Sequence, residues 1–416
     1  MSDIQTPSLS KEEIRFLLLE GVSDTALGCL DEAGYRNIDY HKDALDGGAL
    51  SDALKQARFL GIRSRTRMTA DAMAAAPLLA AVGCFSVGTN QIDLLAAKKR
   101  GIPVFNAPFS NTRSVAELTI AEIVMLFRRT FPRSVKAHNG EWEKSASGSH
   151  EVRGKTLGIV GYGNIGTQLS TMAEAIGMRV IYFDRTDKLR HGNVEPVNSL
   201  ENLLSRSDVV SLHVPETADT QNMIGDAQIR MMKDGAFLIN NARGTVVDID
   251  ALVDALKSGR LGGAAIDVFP KEPGSNTEAF SSPLQRLENV ILTPHVGGST
   301  KEAQSRIGEE VARKLIAYSD IGSTVGAVNF PEVQLPPRPA GTRFIQVQKN
   351  LPGELGRLNE VFARSDVNIA GQYYQTDEDI GYAVLDADGH VAHSEDIVRA
   401  IRQLPGTIRA RVLNRL

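Results

Sequence analysis

Thr156-Leu157-Gly158-Ile159-Val160-Gly161-Tyr162-Gly163-Asn164-Ile165-Gly166 is the stretch that decides the fold. The apolar run up to Val160 reads as a strand, and the Gly-x-Gly-x-x-Gly after it opens a helix. Gly161 permits the tight turn, Gly163 lets the backbone approach a pyrophosphate, and Gly166 lets helix and strand pack closely. The helix start at Asn164 and Ile165 offers N–H groups and the positive end of a dipole to phosphates. Asp184 ends the next strand, 18 residues past Gly166, where an acid grips the ribose diol of a dinucleotide. A carboxylate there repels a 2′-phosphate, so the cofactor read from this stretch is NAD. Arg185 pulls the other way, because an Arg at that place pairs with such a phosphate.

Working outward, strands are expected at Thr156–Val160, Arg179–Phe183, Val209–His213, Ala236–Asn240, Ala264–Val268 and Val290–Leu292, the spacing of a doubly wound sheet. A separate α/β series precedes it, with strands expected at Phe16–Glu20, Phe59–Ile62, Ala81–Ser86 and Val104–Asn106. A helical pattern, Ser114–Arg129, lies between the two, and Glu122 interrupts its apolar run Leu118–Phe127. The helical stretch Lys301–Tyr318 is long enough to pack back on the first unit, so that the chain crosses between units twice. Pro331, Pro336, Pro337 and Pro339 then make an extended linker. The remaining residues read strand, helix, strand, strand, helix, strand, the ferredoxin-like order βαββαβ.

Composition agrees with this picture. At roughly 150 residues per domain, 416 residues make two to three domains. A formal charge of −4 supplies no positive field for a polyanion, which excludes a dedicated nucleic-acid binder. Cys29 and Cys84 cannot build a disulfide scaffold or a four-Cys zinc site and read as free core thiols; no metal is expected. Met1–Lys11 lacks the basic-then-apolar order of a signal peptide, and no apolar run approaches the ~18 residues that span a bilayer. The expectation is a soluble cytoplasmic protein with no membrane or nucleic-acid partner.

Three polar residues fall at or just past strand ends of the second series, the edge where open α/β sheets bind ligands. Arg243 follows Asn240-Asn241-Ala242, Glu272 lies in Asp267-Val268-Phe269-Pro270-Lys271-Glu272-Pro273, and His295 lies in Thr293-Pro294-His295-Val296-Gly297-Gly298-Ser299. A lone His is more often structural, but the glycines after His295 leave it room beside a cofactor. Hydride transfer from an alcohol needs a group that takes the hydroxyl proton, and His does so near neutral pH. A carboxylate on the other ring nitrogen fixes the tautomer. A guanidinium holds a substrate carboxylate in a fork. The set suffices for oxidising a 2-hydroxy acid. In the first series, Arg63, Arg65 and Arg67 alternate; an extended segment would put them on one face as a cation patch for an anion.

From about Phe16 to Leu416 the chain resembles the D-2-hydroxyacid dehydrogenase family, in its bacterial-type short form with a C-terminal ACT regulatory domain. The most specific stretches are Phe105–Glu117, Gly161–Gly166, Ala242–Asp248, Ala264–Phe269 and Leu292–Thr300. The resemblance implies a flavodoxin-like substrate domain (1–108 with 299–333), a Rossmann NAD domain (109–298), the Pro-rich linker (334–340) and an ACT domain (341–416). It implies Arg243 as carboxylate binder, Glu272 as partner of His295, and His295 as acid/base. NAD contacts are implied at Asn164, Ile165, Asp184, His213, Asn241, Ala242, Arg243, Asp267, His295, Val296, Gly297 and Gly298. Arg63, Ser64 and Asn111 are implied to contact substrate, with Lys144 reaching a neighbouring subunit's site in a homotetramer.

The activity implied is NAD-dependent oxidation of 3-phosphoglycerate to 3-phosphohydroxypyruvate, the first committed step of serine synthesis; similar members also reduce 2-oxoglutarate. L-serine is the implied allosteric inhibitor, bound between two ACT domains. Asn350 and Asn368 match the effector pattern, whereas Gln348 stands where relatives carry His, which predicts weaker inhibition. The hinge before that domain is reduced to Ala340-Gly341. Two further expectations come from the residues themselves: Trp142, the only Trp, marks a subunit interface, and Arg399, Arg402, Arg409, Arg411 and Arg415 form a solvated face. The competing readings are a glyoxylate/hydroxypyruvate reductase of the same superfamily and an NAD-sensing corepressor. The Arg63 patch and the C-terminal domain speak against the first; the complete Arg243, Glu272 and His295 set speaks against the second.

Overall fold

Two α/β units divide the chain: Met1–Ser110 with Gln304–Leu416, and Asn111–Ala303. The computed structural model describes residues 10–274, 277–336 and 341–413. Residues 337–340 of the expected linker, and Arg415 of the expected basic face, lie outside the described residues.

In the first unit the parallel strands β1 (Phe16–Leu18), β2 (Ile38–Tyr40), β3 (Phe59–Ile62), β4 (Ala81–Cys84) and β5 (Val104–Phe105) form a sheet of order β2-β1-β3-β4-β5. This is the flavodoxin-like order. Strand pleating sends Phe16 and Leu18 into one core and Leu17 and Leu19 into the other. The helix Lys301–Ile321 joins the first of these cores through Ile307, Val311, Leu315 and Tyr318. Gly83 permits its close approach, since a Cβ there would stand 2.8 Å from Leu315 and Val311. β2 was not foreseen: Ile38-Asp39-Tyr40 is short, edge-lying and only half-buried, so it lacks the apolar run that marks a strand.

The second unit carries β6 (Thr156–Val160), β7 (Arg179–Phe183), β8 (Glu195–Pro196), β9 (Val209–Leu212), β10 (Ala236–Asn240), β11 (Leu261–Ile266) and β12 (Val290–Leu292), in the order β12-β11-β10-β9-β6-β7-β8. All are parallel and reverse direction of winding beside β6, which is the dinucleotide-binding switch point. Helices Thr112–Arg128 and Asn164–Ala175 share a core with β6 through Ile123, Leu126, Leu169 and Ala173.

The C-terminal strands β13 (Gly341–Lys349), β14 (Ile369–Thr376), β15 (Ile380–Asp388) and β16 (Thr407–Leu413) make an antiparallel sheet of order β14-β15-β13-β16. Helices Glu354–Arg364 and Ser394–Arg402 cover one face. The other face is not solvated. Ile345, Val347, Tyr382 and Val384 join the core of the first sheet, and the Tyr382 hydroxyl donates to Gly322 O at 2.7 Å. This corrects the solvated reading of Arg409 and Arg411: Arg409 donates to Leu79 O at 2.6 Å, while Arg411 donates to Tyr318 O at 2.7 Å and lies over that ring. Alternation along β16 places both on the docked face, which no charge count reveals.

Candidate active site

The turn after β6 is built as the glycine pattern requires. Gly161 has φ +93°, and a Cβ on it would strike His213 O at 2.6 Å. A Cβ on Gly166 would meet Gly161 O at 2.5 Å, so helix and turn pack through it. Gly163 faces open space, with no atom within 4 Å of a built Cβ, and Gly163 and Asn164 are exposed. The arrangement fits a pyrophosphate over the helix start, with Ile165 next in line. Asp184 stands beside this turn: its carboxylate accepts from Tyr162 N at 2.9 Å and from the N–H and hydroxyl of Thr186, each at 3.0 Å. The Arg185 side chain is exposed and turned toward Asp219, 3.8 Å away.

At the far strand ends His295 Nδ1 and Glu272 Oε2 are 2.8 Å apart, and the second Glu272 oxygen accepts from Phe269 N at 3.0 Å. Burial pushes the Glu272 carboxyl up, but the bonds from His295 and Phe269 N outweigh it, and the net direction is down. The bond to Glu272 raises the imidazole of His295 above its ordinary value against partial burial. His295 itself has φ +53°, in a loop held from below by Asp267. That carboxylate accepts from Thr293 Oγ1 at 2.5 Å and from Val296 N and Gly297 N at 2.8 Å. Asn111 packs against Gly298, where a Cβ would come within 2.5 Å of its Nδ2.

Arg243 follows a turn pinned by Asn240, whose side chain accepts from Ala242 N and donates to Arg243 O. Burial lowers the guanidinium, and Glu216 and Glu272 oppose that shift. His213 is desolvated down to about 4, hence neutral, with Nε2 2.9 Å from Ser211 Oγ.

Arg63 and Ser64 belong to the first unit, in a bend rather than an extended segment. The N–H groups of Arg63, Ser64, Arg65 and Thr66 all converge on the buried carboxylate of Glu20 at 2.8–3.2 Å. Four successive N–H groups cannot wrap one carboxylate along a strand, so Arg63, Arg65 and Arg67 do not alternate along one extended face. Glu20 was missed as an organiser; its signal was an acid closing the apolar run Phe16–Leu19. Lys144 is exposed, and Trp142 is 87% exposed, covered by nothing in its own chain among the described residues. Cys84 is buried, its thiol pushed up to about 11, whereas Cys29 is only half-buried.

In the C-terminal domain Gln348 is buried and donates to the Tyr374 hydroxyl at 3.0 Å. Asn350 donates to Asp377 O, and Asn368 to Asp388 Oδ2. The register puts Asn350 at one end of the sheet and Asn368 at the other, so one copy of the chain does not bring them together.

Residues 120–297 match the family described as D-isomer specific 2-hydroxyacid dehydrogenase, NAD binding domain, and residues 345–409 match an AHAS small subunit-like ACT domain. A D-3-phosphoglycerate dehydrogenase of Haemophilus influenzae is 57% identical over 406 residues, 98% of each chain. The chain belongs to the D-isomer specific 2-hydroxyacid dehydrogenase family. Within this family of NAD-dependent dehydrogenases, the Escherichia coli D-3-phosphoglycerate dehydrogenase is 56% identical, over 98% of this chain and 99% of its own. The structure of D-lactate dehydrogenase from Aquifex aeolicus, complexed with NAD and lactic acid, aligns with TM-score 0.67 at 29% identity. It covers 76% of this chain and all of that one. Among the described residues no helix is long and apolar enough to cross a membrane, and no cluster of three or more His, Cys, Asp or Glu is placed to hold a metal.

Proposed function

We propose that the chain oxidises 3-phospho-D-glycerate to 3-phosphohydroxypyruvate with NAD, opening serine synthesis in the cytoplasm. The observation that carries it is the His295–Glu272 pair at 2.8 Å, on the same sheet edge as Arg243 and the glycine turn. Glu272 holds Nδ1, which leaves Nε2 to take the C2 hydroxyl proton as the carbonyl forms. Arg243 grips the substrate carboxylate and polarises the forming carbonyl. Bound NAD supplies the hydride acceptor. Gly161, Gly163, Asn164, Ile165 and Gly166 hold its phosphates, and Asp184 its ribose. His213, Asn241, Ala242, Asp267, Val296, Gly297 and Gly298 line its remaining contacts. Arg63, Ser64 and Asn111 take the substrate's polar groups, with the Arg63 cation suited to the phosphate.

The domains act as 1–108 with 299–333 for substrate, 109–298 for NAD and 341–416 for regulation. Serine inhibits through Asn350 and Asn368 of two copies, since one copy separates them. Exposed Trp142 and Lys144 belong to a subunit contact of a homotetramer, and 2-oxoglutarate is a second substrate for reduction. The test is NADH formation from 3-phosphoglycerate beside glycerate, and NADH consumption with glyoxylate and hydroxypyruvate, with and without serine. Preference for the unphosphorylated substrates overturns the assignment in favour of a glyoxylate/hydroxypyruvate reductase, and no turnover of any favours a corepressor.

A further inference from the structure

Glu122 sits in the middle of the Thr112–Arg128 helix, facing inward and 1% exposed. Its Oε2 accepts from Asn241 Nδ2 at 2.7 Å, and the same amide nitrogen donates to Thr119 Oγ1 at 3.0 Å. The Thr119 hydroxyl gives its own proton to Val115 O, which leaves its lone pairs to accept. Among the described residues, two atoms of this group have no partner: Glu122 Oε1 and Asn241 Oδ1, both buried acceptors. A carboxylate cannot resolve this, because it donates nothing. A carboxylic acid can. With the proton on Oε1, the acid donates to Oδ1 while Oε2 accepts from Nδ2, the complementary pairing of an acid with a primary amide.

We propose that Glu122 is a neutral acid paired with Asn241, and that this pair is the positioning element for Arg243. Asn241 is the middle of the Asn240–Arg243 turn. Asn240 ties that turn internally, and the acid–amide pair ties it to the helix. Arg243 therefore stands where Glu122 puts it. Electrostatics agree: burial pushes the Glu122 carboxyl up to about 8, the bond from Asn241 opposes this, and the charge of Asp267, just past the end of β11, adds to it. The positioning role rests on the reading of Arg243 as the carboxylate clamp; the neutral pair does not.

The test compares wild type with Glu122→Gln and Glu122→Ala. Glutamine reproduces both hydrogen bonds of the acid and cannot ionise. The wild-type acid keeps its proton when folded and loses it when unfolded, so stability falls as pH rises from the ordinary carboxylate range to about 8. The melting temperature of Glu122→Gln minus that of wild type should grow between pH 5 and 8 and level off above. A carboxylic-acid carbonyl band should be present in wild type at pH 7 and missing in Glu122→Gln. A pH-independent melting difference, or no band difference, overturns the neutral pair, and neither readout uses substrate. With 3-phosphoglycerate, Glu122→Gln should keep kcat/KM within roughly threefold at pH 7, and Glu122→Ala should raise KM on the order of tenfold. An unchanged KM in Glu122→Ala overturns the positioning role. If Glu122→Ala does not fold, Thr119→Val, which removes one of the two acceptors of Asn241, serves for the same KM comparison.

Discussion

His295–Glu272 in the second unit and Arg343–Asp386 in the C-terminal domain are both short ion pairs, at 2.8 and 2.6 Å. Their surroundings are opposite. The His295 and Glu272 side chains are 50% and 34% exposed, those of Arg343 and Asp386 0% and 6%. Arg343 grips Asp386 with two nitrogens and donates a third bond to Ile321 O, at the end of the long helix of the first unit. His295 uses one ring nitrogen for Glu272, and its other makes no hydrogen bond among the described residues. The open pair can trade a proton with a ligand. The sealed pair cannot lose a charge without stranding the other, so it serves only as architecture.

The sharpest way to break this contrast is to remove the proton acceptor. His295→Asn should lower turnover by on the order of 10²–10⁴ while NAD affinity stays near wild type. Near-full activity would make the open pair structural too. The sealed pair should respond in stability instead. Asp386→Ala leaves a buried guanidinium and should cost ~3–5 kcal/mol, whereas Arg343→Met combined with Asp386→Leu should cost much less. Denaturant unfolding of the three variants checks this; equal losses would show that the charges themselves are needed.

A third prediction sharpens the open pair through pH. Glu272 raises the imidazole of His295, so oxidation should fall on the acid side below a pH above the ordinary 6.5. Glu272→Gln should move that limb of kcat/KM down toward 6.5 and cost less turnover than His295→Asn. The stability signs follow from the same shifts. The His295 share is complete below the ordinary imidazole value and is lost as pH rises through the raised one. The Glu272 share is present above the ordinary carboxylate value and is lost as pH falls through the lowered one. Coincident pH profiles for wild type and Glu272→Gln would remove Glu272 from the acid/base unit.

The smallest effect belongs to a half-exposed contact of the docked domain. Lys98 bridges Asp377 and Asp379, on the turn whose Asp377 carbonyl holds Asn350. Lys98→Ala should change the serine concentration for half-inhibition by roughly threefold and leave kcat without serine unchanged, as expected of a pair worth under about 1 kcal/mol. A changed kcat in the absence of serine would mean that the contact supports the fold rather than the coupling.

Sequence alone determined the parallel sheets, the glycine turn with Asp184, and the strand-end residues Arg243, Glu272 and His295. Those features live in local periodicity and in short motifs whose backbone needs are met by particular residue types. It also flagged Glu122, but only as a break in an apolar run. Tertiary structure decided the rest, because the partners lie far apart in the chain. Glu20 gathers the N–H groups of 63–66 from 43 residues away, and Asn241 reaches Glu122 across 119. Arg409 and Arg411 find the carbonyls of Leu79 and Tyr318 at separations of 330 and 93 residues. Whether a buried carboxyl is a loop organiser, an ion-pair partner or a neutral acid depends on how many donors converge on it. That number is set by packing, and no local pattern of residues carries it.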